Sequence, residues 1–182
     1  MRPHLVAYLA FVLALPSQAD SPPPWQPFKT VSSNGAYTAE VFFEAAGQSL
    51  PPYERNWRLR VLEAARGNAL WETAYKFDGY RGGALSDDGQ YFAYVNFWYY
   101  EDAPVVTVYQ ERGTSRFAGR ELQVDPASLQ STASHKLWLD GSSHFTAGRG
   151  GVKCLVVGTI QGLRAIALGP NPAFQQTASG IC

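Results

Sequence analysis

The chain lacks any charge imbalance: 15 Lys and Arg stand against 15 Asp and Glu, for a formal net charge of zero. That balance, with basic residues scattered singly, argues against nucleic acid or an anionic lipid surface as partner, because both are gathered by unpaired positive charge. Charge of either sign is scarce at 16% of residues, where about 25% is ordinary for globular chains. Cysteine is limited to Cys154 and Cys182, too few for a paired-Cys zinc cluster. No phosphate loop, dinucleotide fingerprint or His-Glu-x-x-His helix occurs, so no cofactor or metal is expected. Beyond the amino terminus no apolar run approaches the length of about 20 residues that a membrane-spanning helix needs. Gly151 to Gly169 comes nearest, and Lys153, Gln161 and Arg164 interrupt it.

Aromatic residues, in contrast, are plentiful: ten Tyr, ten Phe and five Trp make up 14% of the chain. The amino terminus predicts a cleavable secretory signal over residues 1–19. Arg2 gives the basic start, Leu5 to Leu15 the short apolar middle, and Ser17 and Ala19 the small exit-site residues before a cut at Asp20. No Cys follows the cut, so a lipid anchor there is not expected. Residues 20–24, with Ser21-Pro22-Pro23-Pro24, read as an extended linker. Localisation is accordingly expected to be periplasmic or secreted, with no membrane span once the signal is removed.

Two stretches align with one another. Ser32-Ser33-Asn34-Gly35-Ala36-Tyr37-Thr38-Ala39-Glu40-Val41 matches Ser86-Asp87-Asp88-Gly89-Gln90-Tyr91-Phe92-Ala93-Tyr94-Val95 as Ser-x-(Asn/Asp)-Gly-x-Tyr-x-Ala-x-Val. Asn-Gly and Asp-Gly supply the positive φ of a tight turn. Tyr, Ala and Val at alternate positions then put one face of a strand on a core. A second alternating run follows each copy (Trp57, Leu59 and Val61; Val106 and Val108), then an Arg-Gly turn and a further apolar segment. Glu44 to Asn56 lengthens the first copy. The fold class expected is all-β or β-dominated: a small antiparallel meander, two-layer sheet or barrel over residues 25–140, too short for a closed propeller.

The repeated unit resembles the Ser-Pro-Asp-Gly repeats of TolB-like periplasmic β-propellers, though neither copy carries the Pro. The resemblance covers about half of the chain after the signal. It implies how each sheet is wound, and implies no closed ring, ligand or enzymatic activity.

Further on, Asp125-Pro126 predicts a helix start near Ala127 to Gln130. Lys136 to Asp140, Val152 to Val157 and Leu163 to Leu168 predict strands. From Gly141 onward Gly and Ala dominate, so residues 141–182 are left open, with part of Gly148 to Cys182 read as a tail appended to the domain. Cys154 and Cys182 form a candidate disulfide in an exported chain; the alternative is a frayed terminal thiol.

The run from Tyr91 to Tyr100 is the candidate binding feature, with Trp98, Tyr99, Tyr100 and Tyr94 as its residues. Tyr and Trp combine an apolar face with a polar tip, and exposed apolar area marks binding sites. Trp98, Tyr99 and Tyr100 are expected at the surface; the plainer alternative is a core strand. Ser134, His135, Asp140 and His144 suggest a small hydrolase, but no nucleophile elbow surrounds Ser134. Asp87-Asp88, Asp78 and Glu101-Asp102 could coordinate calcium but lack calcium-loop spacing, and the repeat explains the first of them as turn chemistry. The function expected is an exported, non-enzymatic binding or interaction module for an envelope protein, peptide or carbohydrate. The alternatives are that hydrolase, or a partial copy of a longer repeat protein.

Overall fold

The computed structural model describes residues 24–169, 173–175 and 182. The expected signal peptide and nearly all of the linker lie outside these residues.

The chain is β-dominated and winds three successive antiparallel meanders of four strands each, joined in strict sequence order. The first contains β1 (Phe28–Val31), β2 (Tyr37–Phe43), β3 (Trp57–Glu63) and β4 (Ala69–Ala74). The second contains β5 (Ala84–Leu85), β6 (Phe92–Val95), β7 (Pro104–Gln110) and β8 (Gly113–Ala118). A two-stranded hairpin, β9 (Gln130–Ser131) and β10 (Lys136–Leu137), precedes the third. The third contains β11 (His144–Ala147), β12 (Lys153–Thr159), β13 (Gly162–Leu168) and β14 (Ala173–Gln175). Among the described residues no sheet closes into a barrel.

Both copies of the sequence motif fold into the same turn. Ser32 and Ser86 each receive, on Oγ, the amide of the Tyr five residues on, at 3.0 Å in both cases. Their hydroxyls donate to Asn34 and Asp88, whose side chains then accept the amides of Ala36 and Gln90. Gly35 and Gly89 take φ of +72° and +69°, a region that costs other L-residues about 1–2 kcal/mol. The turns also touch: the Asn34 amide donates to Asp87 Oδ1 and its Nδ2 to the Asp87 carbonyl, both at 2.9 Å. Lys153, from the third meander, pairs with Asp88 at 3.0 Å. The initial strands follow suit, with β5 lying beside β1 on one side and β11 on the other.

This stacking explains the core. Ala39, Val41, Trp57, Leu59 and Val61 of the first sheet pack with Phe92, Tyr94 and Tyr109 of the second. On its other face the second sheet packs Ala93, Val106 and Val108 with Leu155, Val157, Ile166 and Leu168 of the third. Alternation along β6 thus serves two cores, so the middle strand carries no solvated face. The first sheet turns charge outward instead. Arg58 and Arg60 grip Glu72 at 3.0 and 2.8 Å; the Arg60 hydrogen bond in particular holds the Glu72 carboxyl below its ordinary range.

The segment read from sequence as a tail supplies a sheet of its own. β12 and β13 match the expected strands, and Cys154, Leu155, Val157 and Ile166 are fully buried. Cys154 is disulfide-bonded to Cys182. The packed region therefore runs well past Asp140. Here the turn is made by Gly148-Arg149-Gly150-Gly151, with Gly151 at φ +79°, so the backbone path persists without the Ser and Asp that mark it elsewhere. Elsewhere, the expected helix near Ala127 is a single 3-10 turn at Pro126–Ser128, with Asp125 capping the Ala127 amide.

Candidate binding site

The site is built where β6 ends and the chain turns out of the second sheet. Asn96 anchors that exit with all of its polar groups. Its amide donates to the Val105 carbonyl at 2.7 Å, and its carbonyl accepts Trp138 Nε1 at 2.9 Å. Its Oδ1 accepts the Trp98 amide, and its Nδ2 donates to Asp78 Oδ2, both at 3.0 Å. Trp138 is itself fully buried, so the loop from Phe97 to Ala103 hangs from a fixed point in the core.

β10 then fixes the loop from the side. Trp98 bridges to Leu137 and the Tyr99 amide donates to the Lys136 carbonyl at 3.0 Å. The Trp98 indole lies flat on the His135 ring, with centroids 4.4 Å apart and planes 17° apart, and its Nε1 donates to the Tyr80 hydroxyl. Tyr99 turns inward and donates to the Val124 carbonyl at 3.0 Å.

These contacts correct the expected exposure of Trp98 and Tyr99 and agree with the core-strand alternative. Trp98, Tyr99 and Tyr94 are buried, at 7%, 6% and 6%, because a hairpin more than 30 residues later covers the first two and the first sheet covers the third. Tyr100 alone of the four candidates reaches the surface, at 37%, and Phe97, not singled out from sequence, joins it at 45%. Phe97 stacks on Tyr80, with planes 21° apart. Gly119 holds the loop from behind: its amide donates to the Tyr100 carbonyl at 3.0 Å, and a methyl group there would collide with the Tyr99 ring.

Two cavities meet at Tyr100 and Ala103. The larger, about 610 Å³, lies between the Tyr99–Ala103 loop and the loop around β9 and β10, and includes Glu101, Asp102, Ser134, His135 and Lys136 in its walls. Asp102 pairs with Arg120 at 2.6 Å, and Lys136 donates to the Pro126 carbonyl at 2.8 Å. The smaller, about 250 Å³, opens where the first and second sheets part, and is walled by Lys76, Asp78, Tyr94, Asn96, Tyr100, Thr107 and Arg116 among others. Asp78 organises its floor, accepting hydrogen bonds from the Tyr94 hydroxyl, the Asn96 amide group and the Tyr80 backbone. Burial, followed by the Asp78 charge, pushes the Tyr94 hydroxyl far above its usual range, and the same two causes raise Tyr100 less strongly. Both phenols are therefore neutral donors at physiological pH.

Of the residues considered for hydrolysis, Ser134 and His135 come together, with Oγ 2.7 Å from Nδ1. Asp140 and His144 lie elsewhere: the Asp140 amide donates to the Gly158 carbonyl, and His144 pairs with Val156 in the third sheet. Among the described residues no three His, Cys, Asp or Glu side chains gather as a metal site. No helix among them is long and apolar enough to cross a membrane.

No family model, curated protein or solved structure matches this chain. The chemistry at Tyr100 is what remains to interpret: an exposed phenol ring on a rigid support, with carboxylate, amide and hydroxyl groups in one adjoining cavity and a broader open cavity on its other side.

Proposed function

We propose that this chain is an exported, non-enzymatic binding module whose ligand, a carbohydrate or else a peptide, lies against Tyr100. The observation that carries the reading is the position of that ring: half-exposed, at the junction of two cavities, on a loop tied to the core through Asn96 and Gly119. A rigid aromatic face beside planar polar side chains suits a ligand that alternates apolar faces with hydroxyl or amide edges. Export is supported by the sequence of residues 1–19 and by the Cys154–Cys182 disulfide, which persists in oxidising compartments. The resemblance of the motif turns to TolB-like repeats is consistent with an envelope setting.

The test is a panel of oligosaccharides and short peptides screened against the folded chain, followed by the best binder on variants. Tyr100→Ala is expected to weaken binding about tenfold, equivalent to about 1.4 kcal/mol, with the melt nearly unchanged. Unaltered affinity would refute the reading. Gly119→Ala, whose Cβ would collide with the Tyr99 ring and the Tyr100 carbonyl and so shift the loop that carries Tyr100, is expected to weaken the same binder.

The Ser134–His135 contact favours a second reading, a small hydrolase. It requires ester or amide turnover that disappears in Ser134→Ala.

A further inference from the structure

We infer that the smaller cavity is a subsite for the carboxylate of an acidic sugar. This deepens the reading of Tyr100 as a ligand platform and rests on it for the sugar ring, while the carboxylate contact stands on separate residues.

The cavity wall is set by sheet register. Tyr94, Thr107 and Arg116 are direct partners across β6, β7 and β8, so the three share one face of the second sheet, the face that meets the first. The inner part of this row is sealed: Tyr94 belongs to the core between the two sheets. Its outer part ends on the exposed Arg116. Across the gap, Lys76 and Asp78 arrive on the segment leaving β4.

Two cations without a carboxylate partner share one cavity here, whereas Lys136 and Arg112, likewise unpaired with a carboxylate among the described residues, each line a cavity with no second Lys or Arg in its wall. Lys29, Arg58, Arg60, Arg66, Arg120 and Lys153 each pair with a carboxylate. Lys76 and Arg116 pair with none among the described residues, yet both line the same cavity. Among the described residues the only carboxylate in its wall is Asp78, and its oxygens already accept from Tyr94, Asn96 and Tyr80. Two cations against one occupied carboxylate leave an excess positive charge facing a confined space, where an anion is held more strongly than at an open surface.

The remaining walls select what carries that anion. Thr107 presents a hydroxyl and Asn96 the second hydrogen of its Nδ2, the first being given to Asp78; these suit sugar hydroxyls, and Tyr100 offers a ring face to the apolar side of a pyranose. A cavity of about 250 Å³ exceeds what an inorganic anion fills. It matches a single hexuronate residue, with neighbouring residues of the chain passing over Tyr100 toward the larger cavity.

The experiment is isothermal titration of the full chain with trigalacturonate, its methyl ester (same rings, no charge) and inorganic phosphate, repeated on Arg116→Gln, Lys76→Gln and Tyr100→Ala. Melts confirm folding; both cationic side chains are exposed, so their removal leaves the core intact. Trigalacturonate is expected to bind at least tenfold tighter than its ester. Arg116→Gln and Lys76→Gln should each erase most of that difference by weakening the acid more than the ester, and phosphate should bind no better than the ester. Equal affinity for acid and ester in the parent chain overturns the carboxylate subsite, as does unchanged acid binding in Arg116→Gln. If acid and ester bind equally and both are lost in Tyr100→Ala, the platform stands and the subsite falls. If acid binding survives Tyr100→Ala but not Arg116→Gln, the platform falls and an anion subsite stands. Phosphate binding as tight as trigalacturonate reduces the site to a simple anion hole and overturns the sugar. No binding of any probe by the folded chain overturns both.

Discussion

The two motif turns offer a controlled comparison, because they share one backbone and differ in what surrounds them. Gly35 and Gly89 hold nearly the same φ, +72° and +69°. Alanine at either position pays the left-handed penalty, about 1–2 kcal/mol. A Cβ on Gly35 would meet nothing within 4 Å, so Gly35→Ala is expected to cost that amount alone. A Cβ on Gly89 would lie 2.8 Å from Leu70 Cδ1 and 2.8 Å from Tyr37 Cδ1. Leu70 is 40% exposed and can rotate away; Tyr37 packs on the core between the first two sheets and cannot move without disturbing it. The Gly89 carbonyl also accepts Trp71 Nε1 at 2.7 Å, tying the turn to the first sheet. Overpacking of this kind adds about 1–3 kcal/mol, so Gly89→Ala should cost about 2–5 kcal/mol in total.

Urea unfolding of both variants, with slopes compared to the parent chain, separates the terms. The informative quantity is the difference between variants, about 1–3 kcal/mol, since the conformational penalty cancels. Gly35→Asn should recover part of the Gly35→Ala loss, because Asn enters the left-handed region more readily. Equal destabilisation by the two alanines would falsify the proposed packing of the second turn against the first sheet.

Replacing both cysteines by serine removes a cross-link between positions 28 apart in sequence. Loop-closure entropy for that span predicts a loss of about 3–4 kcal/mol, read as a shift in the urea midpoint; a change under about 1 kcal/mol would contradict it. Thiol titration of the unfolded, unreduced chain should find no free sulfhydryl. Asp88 gives a pH prediction: burial opposes its ionisation, but hydrogen bonds from Ser86, Lys153 and the Gln90 amide outweigh it and hold its pKa below the ordinary value. A carboxyl depressed in the folded state stabilises above its unfolded pKa, about 3.9, and that contribution fades as pH falls through the lower folded value. Asp88→Asn should therefore flatten the acid limb of the stability profile below about pH 4; an unchanged limb would show that the Asp88 carboxyl is not held below its ordinary value in the folded chain.

How much of this was legible in the sequence depends on how local each cause is. The motif turns were readable because the hydrogen bonds that shape each turn, from Ser and from Asn or Asp, close within five residues. The strands at Val152–Val157 and Leu163–Leu168 were readable from their apolar runs. Their grouping into a third meander was not, since Gly150 and Gly151 supply the turn through backbone freedom alone and leave no side-chain signature to align. The same limit governs the site. An aromatic run announces a tightly packed or ligand-facing segment, but which ring is exposed depends on what covers it, and the cover for Trp98 is His135 and Leu137 from a hairpin far along the chain.

Asp78 shows that limit most sharply. In sequence it is one residue of an Asp-Gly turn, and nothing near it suggests a role. In the fold it holds Tyr94 and Asn96, which lie 16 and 18 residues later, and through Asn96 it positions Trp98 and Trp138. Removing its charge would thus loosen the loop that presents Tyr100 and also raise the net positive charge of the smaller cavity. These two effects oppose one another for an acidic ligand, whereas a neutral one feels only the first. Asp78→Asn keeps the acceptor at one oxygen, so its consequence for the two ligand types reports whether Asp78 acts on binding mainly through the scaffold or through the field.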